Sequence, residues 1–453
     1  WRADRLWISA SGVTRRFAAG VDTPGQFEDT RLDMPCDTDA ETARALGLAD
    51  GGPPAWTFWG SQRADRFEAW RQGLVLDGQL FTRSGRGFHQ GVDTLAEGAL
   101  THHDSDLAVT PIRGGFRTER IEDGRQIYVY LESPCNPHGY VLDVPGICRA
   151  AHERGWRVIV DSTVGTPFLH PLLKAADPME RPDFVVHSYT KDLAGSGTTT
   201  AGCVIGRNED MFIPKNDSVD AKWPDGKPRT VNWDESMFWN IFYIKGGFLD
   251  SEKAFEVLNG MKTYEMRVLQ KAINTTVLAR ALDAHPDINV SCPVLEDSPN
   301  HGIASDNMYL GLPAALFTID MEGKTGRGAV PREVFKRFFD MLEPAMGMQV
   351  SLGQTTTVAL CPAMTTHSEL GPDALKEAGI APTTTRIAVG LEDPRVFIAH
   401  LQRAAEVAID PVVPGFSAGF PAADVVDGLY REVTMDVHSR HLHALPGYAS
   451  LLA

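Results

Sequence analysis

The chain has 453 residues, 43 Lys+Arg against 59 Asp+Glu for a formal charge of −16, and a 43% hydrophobic fraction. That suits about two or three domains with a large buried core and excludes a disordered chain. The acidic balance, without a Lys/Arg cluster, argues against nucleic acid and anionic membranes as partners; no apolar run reaches the roughly 18 residues of a membrane span.

Residues 1–12 carry no signal-like apolar run, so a cytoplasmic location is expected. Cys36, Cys135, Cys148, Cys203, Cys292 and Cys361 are scattered, without CxxC or pairing with His, and read as reduced thiols. Residues 1–75, rich in Trp, Arg and Asp and lacking an apolar period, read as an extended arm with short helices. From residue 126 strands and helices alternate: RQIYVYLES as strand, VPGICRAAHERG as a helix ending at Gly155, then strands in WRVIVDS and DFVVHSYT. That succession predicts a parallel sheet in a doubly wound α/β layer, with ligands beyond the carboxyl ends of the strands. Chemistry is therefore sought at Glu132, at Asp161 and at residues 188–191.

Residues 207–250, rich in turn signals, read as an excursion over a site or an interface. A long amphipathic helix is expected over 251–285. A smaller C-terminal α/β domain would follow, with strands in AALFTIDMEG, MQVSLG and TRIAVG and helices in VFKRFFDMLEPA and DPRVFIAHLQRAAEVA. After Pro411 the tail is punctuated by Pro and Gly and shows no readable chemistry. The resulting division is an arm (1–75), a large domain (76–260), a linker helix with small domain (261–410) and an extension (411–453).

Asp161 closes the strand RVIVD, and Lys191 follows the strand FVVHS at the same sheet edge. A carboxylate and an amine there suit pyridoxal phosphate, which needs a lysine for its aldehyde and an acidic partner for its ring nitrogen. Ser188 and Thr190 offer hydroxyls for a phosphate. From spacing alone the plainer reading, a solvated lysine and a helix-capping aspartate, stays open.

LESPCNP (131–137), VDSTVGTPFL (160–169), VVHSYTKDLAG (185–195), NGMKTYEMR (259–267), VSLGQTTTVALCPAMTTHS (350–368) and TRIAVGLEDP (385–394) resemble, in order, blocks of a known family. It is the Cys/Met-metabolism pyridoxal-phosphate family, that of cystathionine γ-synthase, cystathionine lyases, methionine γ-lyase and homoserine sulfhydrylases. The resemblance covers residues 76–405. It implies a fold-type I architecture, with a mainly parallel seven-stranded sheet and a smaller C-terminal domain. It also implies Lys191 as Schiff-base lysine and general base, Asp161 as partner of the ring nitrogen with Thr163 beside it, and Ser188 and Thr190 at the phosphate. Arg386, Ser351 and Asn136 would meet the substrate carboxylate. Arg83 would reach the phosphate in a neighbouring subunit's site, which implies a homodimer or homotetramer with shared sites.

Phe81 stands where the family's phosphate-binding tyrosine would be, and His89 aligns with its cofactor-stacking tyrosine, a role that imidazole can serve. Between Arg86 and Gly87 the chain passes directly where relatives have several dozen residues, so a phosphate-binding loop is either deleted or omitted there. GSGTTTAG (195–202) is read as a tight turn rather than a P-loop, and His102, His103, Asp104 and Asp106 as a solvated loop rather than a metal site. His367 is read as structural.

The resemblance implies γ-elimination or γ-replacement on a γ-substituted amino acid: a homoserine ester, methionine, S-adenosylmethionine or a cystathionine-like compound. The path passes a vinylglycine-type intermediate and admits a second, nucleophilic substrate. Val350 before Ser351 resembles methionine γ-lyase more than the γ-synthase pattern. Alternatives are a β-lyase, another fold-type I enzyme such as an aminotransferase, and a scaffold without cofactor.

Overall fold

The computed structural model describes residues 128–445 apart from short gaps, together with the backbone of short strands at 7–8, 14–15 and 79–81. The residues at 7–8 and 14–15 pair antiparallel; the rest of the expected arm lies outside the described residues, as do Arg83, His89, the Arg86–Gly87 junction, the residues 102–106 and His367.

Strands β1 (Gln79–Phe81), β2 (Tyr128–Glu132), β3 (Arg157–Asp161) and β4 (Phe184–Ser188) run parallel in that order, and β5 (Gly202–Gly206) closes the sheet antiparallel to β4. The described residues thus supply five of the seven expected strands. Val129, Leu131, Val158, Val160 and Val185 are buried, as strands covered on both faces require. Helix α1 (Val144–His152) makes the β2–β3 crossover. Its start is fixed by the Asp143 side chain, which accepts the Gly146 N–H, and by Pro145; it ends near Gly155 at φ +72°.

The expected 251–285 helix is two: α2 (Ser251–Met261) and α3 (Tyr264–Asp283). The break lies beside Gly260, whose missing side chain lets the backbone press on the Ala194 carbonyl. Helix α3 is not amphipathic. Nearly all of it from Arg267 to Leu282 is buried, because it runs between a cluster with Val268, Ile273 and Val277 and another with Leu278 and Leu282.

The second sheet has the order β8 (Asn289–Ser291), β9 (Leu316–Asp320), β12 (Thr385–Ala388), β11 (Val358–Leu360), β10 (Gly347–Met348), antiparallel except for the last pair. Helices α4 (Arg332–Asp340) and α5 (Pro394–Ala408) bury Phe335, Phe338, Phe397 and Leu401 in its core. The loop after β2 joins the two sheets. His138 Nδ1 lies 2.7 Å from Thr318 Oγ1, Asn300 Oδ1 accepts from Val141 N at 2.7 Å, and Gly139 packs on the Leu316 carbonyl, where a Cβ would sit 2.2 Å away.

Two further segments take definite form. Within 207–250, strands β6 (Ser218–Lys222) and β7 (Pro228–Asn232) form a hairpin. The Arg157 and Arg229 guanidinium groups each lie over the Trp223 ring at 4.6 Å, and Arg229 pairs with Asp210 at 2.9 Å. Arg157 begins the strand that Asp161 ends, so the hairpin is anchored at the sheet end opposite Lys191 and does not cover that site. The tail, read only as punctuated by Pro and Gly, contains the 22-residue helix α6 (Ala423–Ala444), which buries Val426, Val433 and Val437. Pro and Gly punctuate mainly its approach, residues 411–421, and the helix buries too narrow a stripe to announce itself.

Candidate active site

Strands β2, β3 and β4 end together at Glu132, Asp161 and Ser188, with Glu132 in register with Asp161. Immediately after β4 the chain makes a widened helical turn, Tyr189–Leu193, kinked at Lys191. The Lys191 amine donates to Ser351 Oγ at 2.9 Å. Gly353, at φ +82°, lies against this turn: an added Cβ would meet Asp192 N at 2.6 Å and Lys191 Cβ at 2.7 Å. Burial and the nearby Arg386 lower the proton affinity of Lys191, with Asp161 and Asp192 opposing.

Asp161 is buried and accepts the Thr163 N–H at 2.9 Å. Burial pushes its pKa up to about 6, against the hydrogen bonds from Thr163 and the charge of Lys191. Among the described residues no lysine or arginine forms an ion pair with it. Thr163 Oγ1 accepts from Ser188 N at 2.9 Å and so ties the two strand ends together. The Thr190 hydroxyl is engaged with the Ala201 backbone, accepting its N–H at 3.1 Å and facing its carbonyl at 3.4 Å.

Arg386, on β12, is 1% exposed. Its Nη2 donates to the Val350 and Ser351 carbonyls at 2.8 and 3.3 Å, and its Nη1 to Asn136 Oδ1 at 3.3 Å. Its Nε has no partner, and among the described residues no carboxylate lies within ion-pair distance. Burial lowers its pKa to about 10, with Glu132 opposing. A buried cation held by neutral oxygens, with an orphaned N–H, is a receptor for an anion.

The structure therefore brings together Lys191, Asp161, Thr163, Ser188, Thr190, Arg386, Ser351 and Asn136; Arg83 and His89 lie outside the described residues. Three features escaped the site reading. Glu132, placed at the chemical edge of the sheet but given no role, is 4% exposed with an orphaned Oε2, and burial beside Asp161 raises its pKa well above the usual range. Arg267 donates to the Asp192 carbonyl at 2.9 Å, and Lys271 pairs with the Asp192 carboxylate at 2.7 Å. The adjacency of Asp192 to Lys191 was the available signal; its α3 partners had none. Turn geometry at Gly195 and Gly197, both at positive φ, agrees with the tight turn read for 195–202.

An amine, a buried carboxylate needing a cationic N–H, and a buried guanidinium needing a carboxylate fit pyridoxal phosphate with an amino acid. The family model described as Cys/Met metabolism PLP-dependent enzyme matches residues 104–406. The chain belongs to this family. It is 30% identical over 278 residues to the L-methionine gamma-lyase of Pseudomonas putida, covering 61% of this chain and 60% of that protein. The O-succinylhomoserine sulfhydrylase of Mycobacterium tuberculosis is 28% identical over 280 residues, with the same shares. The match thus spans about three-fifths of these relatives' length. Among solved structures, a cystathionine gamma-lyase from Micromonospora echinospora superposes with a TM-score of 0.54 at 25% identity, over 72% of this chain and 76% of that one. A cystathionine gamma-synthase from Xanthomonas oryzae gives 0.53 at 22% identity, over 74% and 78%, and bears on the fold alone. Both agree with the fold-type I α/β architecture of this pyridoxal-phosphate family.

Proposed function

We propose that the protein is a pyridoxal-phosphate enzyme that eliminates or replaces the γ-substituent of an amino acid. The observation that carries this reading is the Lys191–Ser351–Arg386 arrangement: an amine and a buried, anion-seeking guanidinium joined through one loop. When bound, the cofactor supplies an electron sink for negative charge at the substrate α-carbon.

Lys191 would hold the cofactor covalently, Asp161 would face its ring nitrogen, and the Ser188 and Thr190 side chains would lie toward its phosphate. Arg386 and Asn136 orient the substrate through its α-carboxylate, which places the α-proton beside the Lys191 amine. That amine, its proton affinity lowered by burial and Arg386, takes the proton as a base nearer neutral pH than an exposed lysine. Ser351 Oγ, a partner of Nζ, holds the amine while it waits. Arg83 and His89 are assigned to the phosphate and the ring face, with Arg83 acting in a neighbouring subunit's site. This makes the assembly a homodimer or homotetramer. A cytoplasmic location and the domain limits at residues 75, 260 and 410 belong to the same reading.

The names of the relatives favour γ-substituted substrates, and Val350 before Ser351 favours chemistry without a cationic second amino acid. If His89 replaces a stacking tyrosine, substrates whose group leaves without protonation, such as acyloxy-, phospho- or sulfonium-bearing homoserine skeletons, turn over faster than methionine or cystathionine. The test incubates cofactor-supplemented protein with that panel in deuterated water and reads products by mass spectrometry. Release of 2-oxobutyrate deuterated at Cβ or Cγ, or a γ-replacement product, supports the reading. Keto-acid-dependent amino transfer, or no exchange of the α-proton in any substrate, overturns it. Lys191→Ala should lose both exchange and the reducible covalent bond to the cofactor.

A further inference from the structure

Among the described residues three cations are buried, Arg267, Lys271 and Arg386, and each touches Lys191's turn or the loop of Ser351. Arg386 has the role argued above. Arg267 and Lys271 lie one turn apart on α3 and hold the residues that follow Lys191. Arg267 donates to the carbonyls of Asp192 (2.9 Å), Leu193 (3.4 Å) and Gly260 (2.8 Å). Lys271 is 0% exposed, and its amine meets Asp192 Oδ1 at 2.7 Å; Asp192 is 3% exposed. A buried ion pair is an expensive way to fasten a turn, since apolar side chains of similar volume do so at least as well. Its placement beside the Lys191 amine points to charge.

We propose that Lys271 is a positioning residue for Lys191: it neutralises the adjacent Asp192 carboxylate and fixes the turn from which the Lys191 amine projects. The proposal rests on Lys191 being the cofactor lysine. The groups facing that amine are Arg386 from β12, Asp161 from β3 with Glu132 of β2 beside it, and Asp192 of its own turn, behind which stand Arg267 and Lys271 of α3. With Lys271 in place, the Asp192 charge acting on Lys191 is partly offset. Without it, a bare buried carboxylate one residue away favours the protonated amine and removes its competence as a base. Without Asp192, a bare Lys271 does the opposite.

The test compares wild type, K271M, D192N and D192N/K271M as full chains. In the cofactor-free proteins, brief acetylation at graded pH followed by mass spectrometry gives the pH midpoint at which Lys191 becomes reactive. In the loaded proteins, the pH dependence of the bound cofactor's visible absorption gives a second midpoint. We expect K271M to raise the midpoint by about one unit, D192N to lower it by about as much, and the double variant to return near wild type. Loosening of a merely structural clamp would not move the two single variants in opposite directions. Should K271M fail to fold, removal of Lys271 in the D192N background must raise the midpoint. Equal midpoints throughout, or single-variant shifts of the same sign, overturn the proposal. Failure of the cofactor reading is distinguishable: wild type would then show no reducible cofactor bond at Lys191, whatever the acetylation midpoints.

Discussion

Burial holds the Asp161 carboxyl up at about 6, against an ordinary value of 3.8. A group raised in the folded state stabilises fully below its unfolded value, and that contribution is lost as pH rises through the folded one. In the cofactor-free protein, stability should therefore fall between about pH 4 and 6, by roughly 3 kcal/mol for a shift of about two units. Glu132 beside it acts in the same direction. Asp161→Asn should flatten this decline and unfold at a higher temperature at pH 7, yet bind the cofactor more weakly. Thermal melts across pH, with and without cofactor, check both halves; a variant less stable than wild type at pH 7 would show the carboxylate already satisfied. Arg386→Lys should lower kcat/KM by about 100-fold, chiefly through KM, because an ammonium cannot offer the planar fork that a carboxylate takes. Steady-state kinetics on the best substrate of the panel would reveal it.

The lysine turn is held by neighbouring elements as well as by its own backbone pairing, in which the Ala194 N–H donates to the Tyr189 carbonyl at 3.1 Å and the Gly195 N–H to the Lys191 carbonyl at 2.8 Å. Gly353 presses on it from the Ser351 loop, and Gly260, Arg267 and Lys271 hold it from α2 and α3. Gly353→Ala forces a Cβ to 2.6 Å from Asp192 N in a conformation that already disfavours side chains. It should displace Lys191, weaken cofactor binding and cost more than about 2 kcal/mol. Gly155→Ala has a comparable φ of +72° with nothing within 4 Å, so about 1 kcal/mol and unchanged activity are expected. Urea unfolding with cofactor absorbance separates the two. At this scale the sequence was legible where an element's periodicity is its own. Strands β2 to β4 and helices α1, α4 and α5 lie where the apolar pattern and caps put them. Helix α3 misled because its surroundings bury nearly all of it from Arg267 to Leu282, so its polar residues there do not mark a solvent face. Lys271 in particular reads as a surface lysine in sequence and is a core residue in the fold.

Across the whole molecule, α3, α6, the segment after β3 and the second sheet share one interior, while the strands of the first sheet bury theirs in another. Val433 and Val437 of α6 join Val268 and Val277 of α3, Val164 after β3 and Val358 and Ala388 of the second sheet in a single cluster. Tyr309 bonds His441 at 3.0 Å, and Phe168 packs on both rings. The tail thus packs the second sheet, and Arg386 with it, against α3 and the segment that follows Asp161. Val433→Asp should destabilise by about 3 kcal/mol or more through an unpaired buried charge. Cofactor loss should accompany unfolding in a single transition, seen by recording far-UV dichroism and cofactor absorbance on one sample.

The sequence by itself determined the alternation of strand and helix, the polar strand ends at which Asp161 and Lys191 are proposed to act, and membership of the pyridoxal-phosphate family. These are properties of short segments, set by backbone dihedrals, alternation and caps, or of motifs that survive as strings. Tertiary structure alone decided which distant segments meet. Arg386 reaches Asn136 across 250 residues and Lys271 reaches Asp192 across 79, while the hairpin lies at the far end of the sheet from Lys191. Such meetings depend on how whole faces pack, and a buried charge is recognised only once the fold shows what surrounds it and what it still lacks.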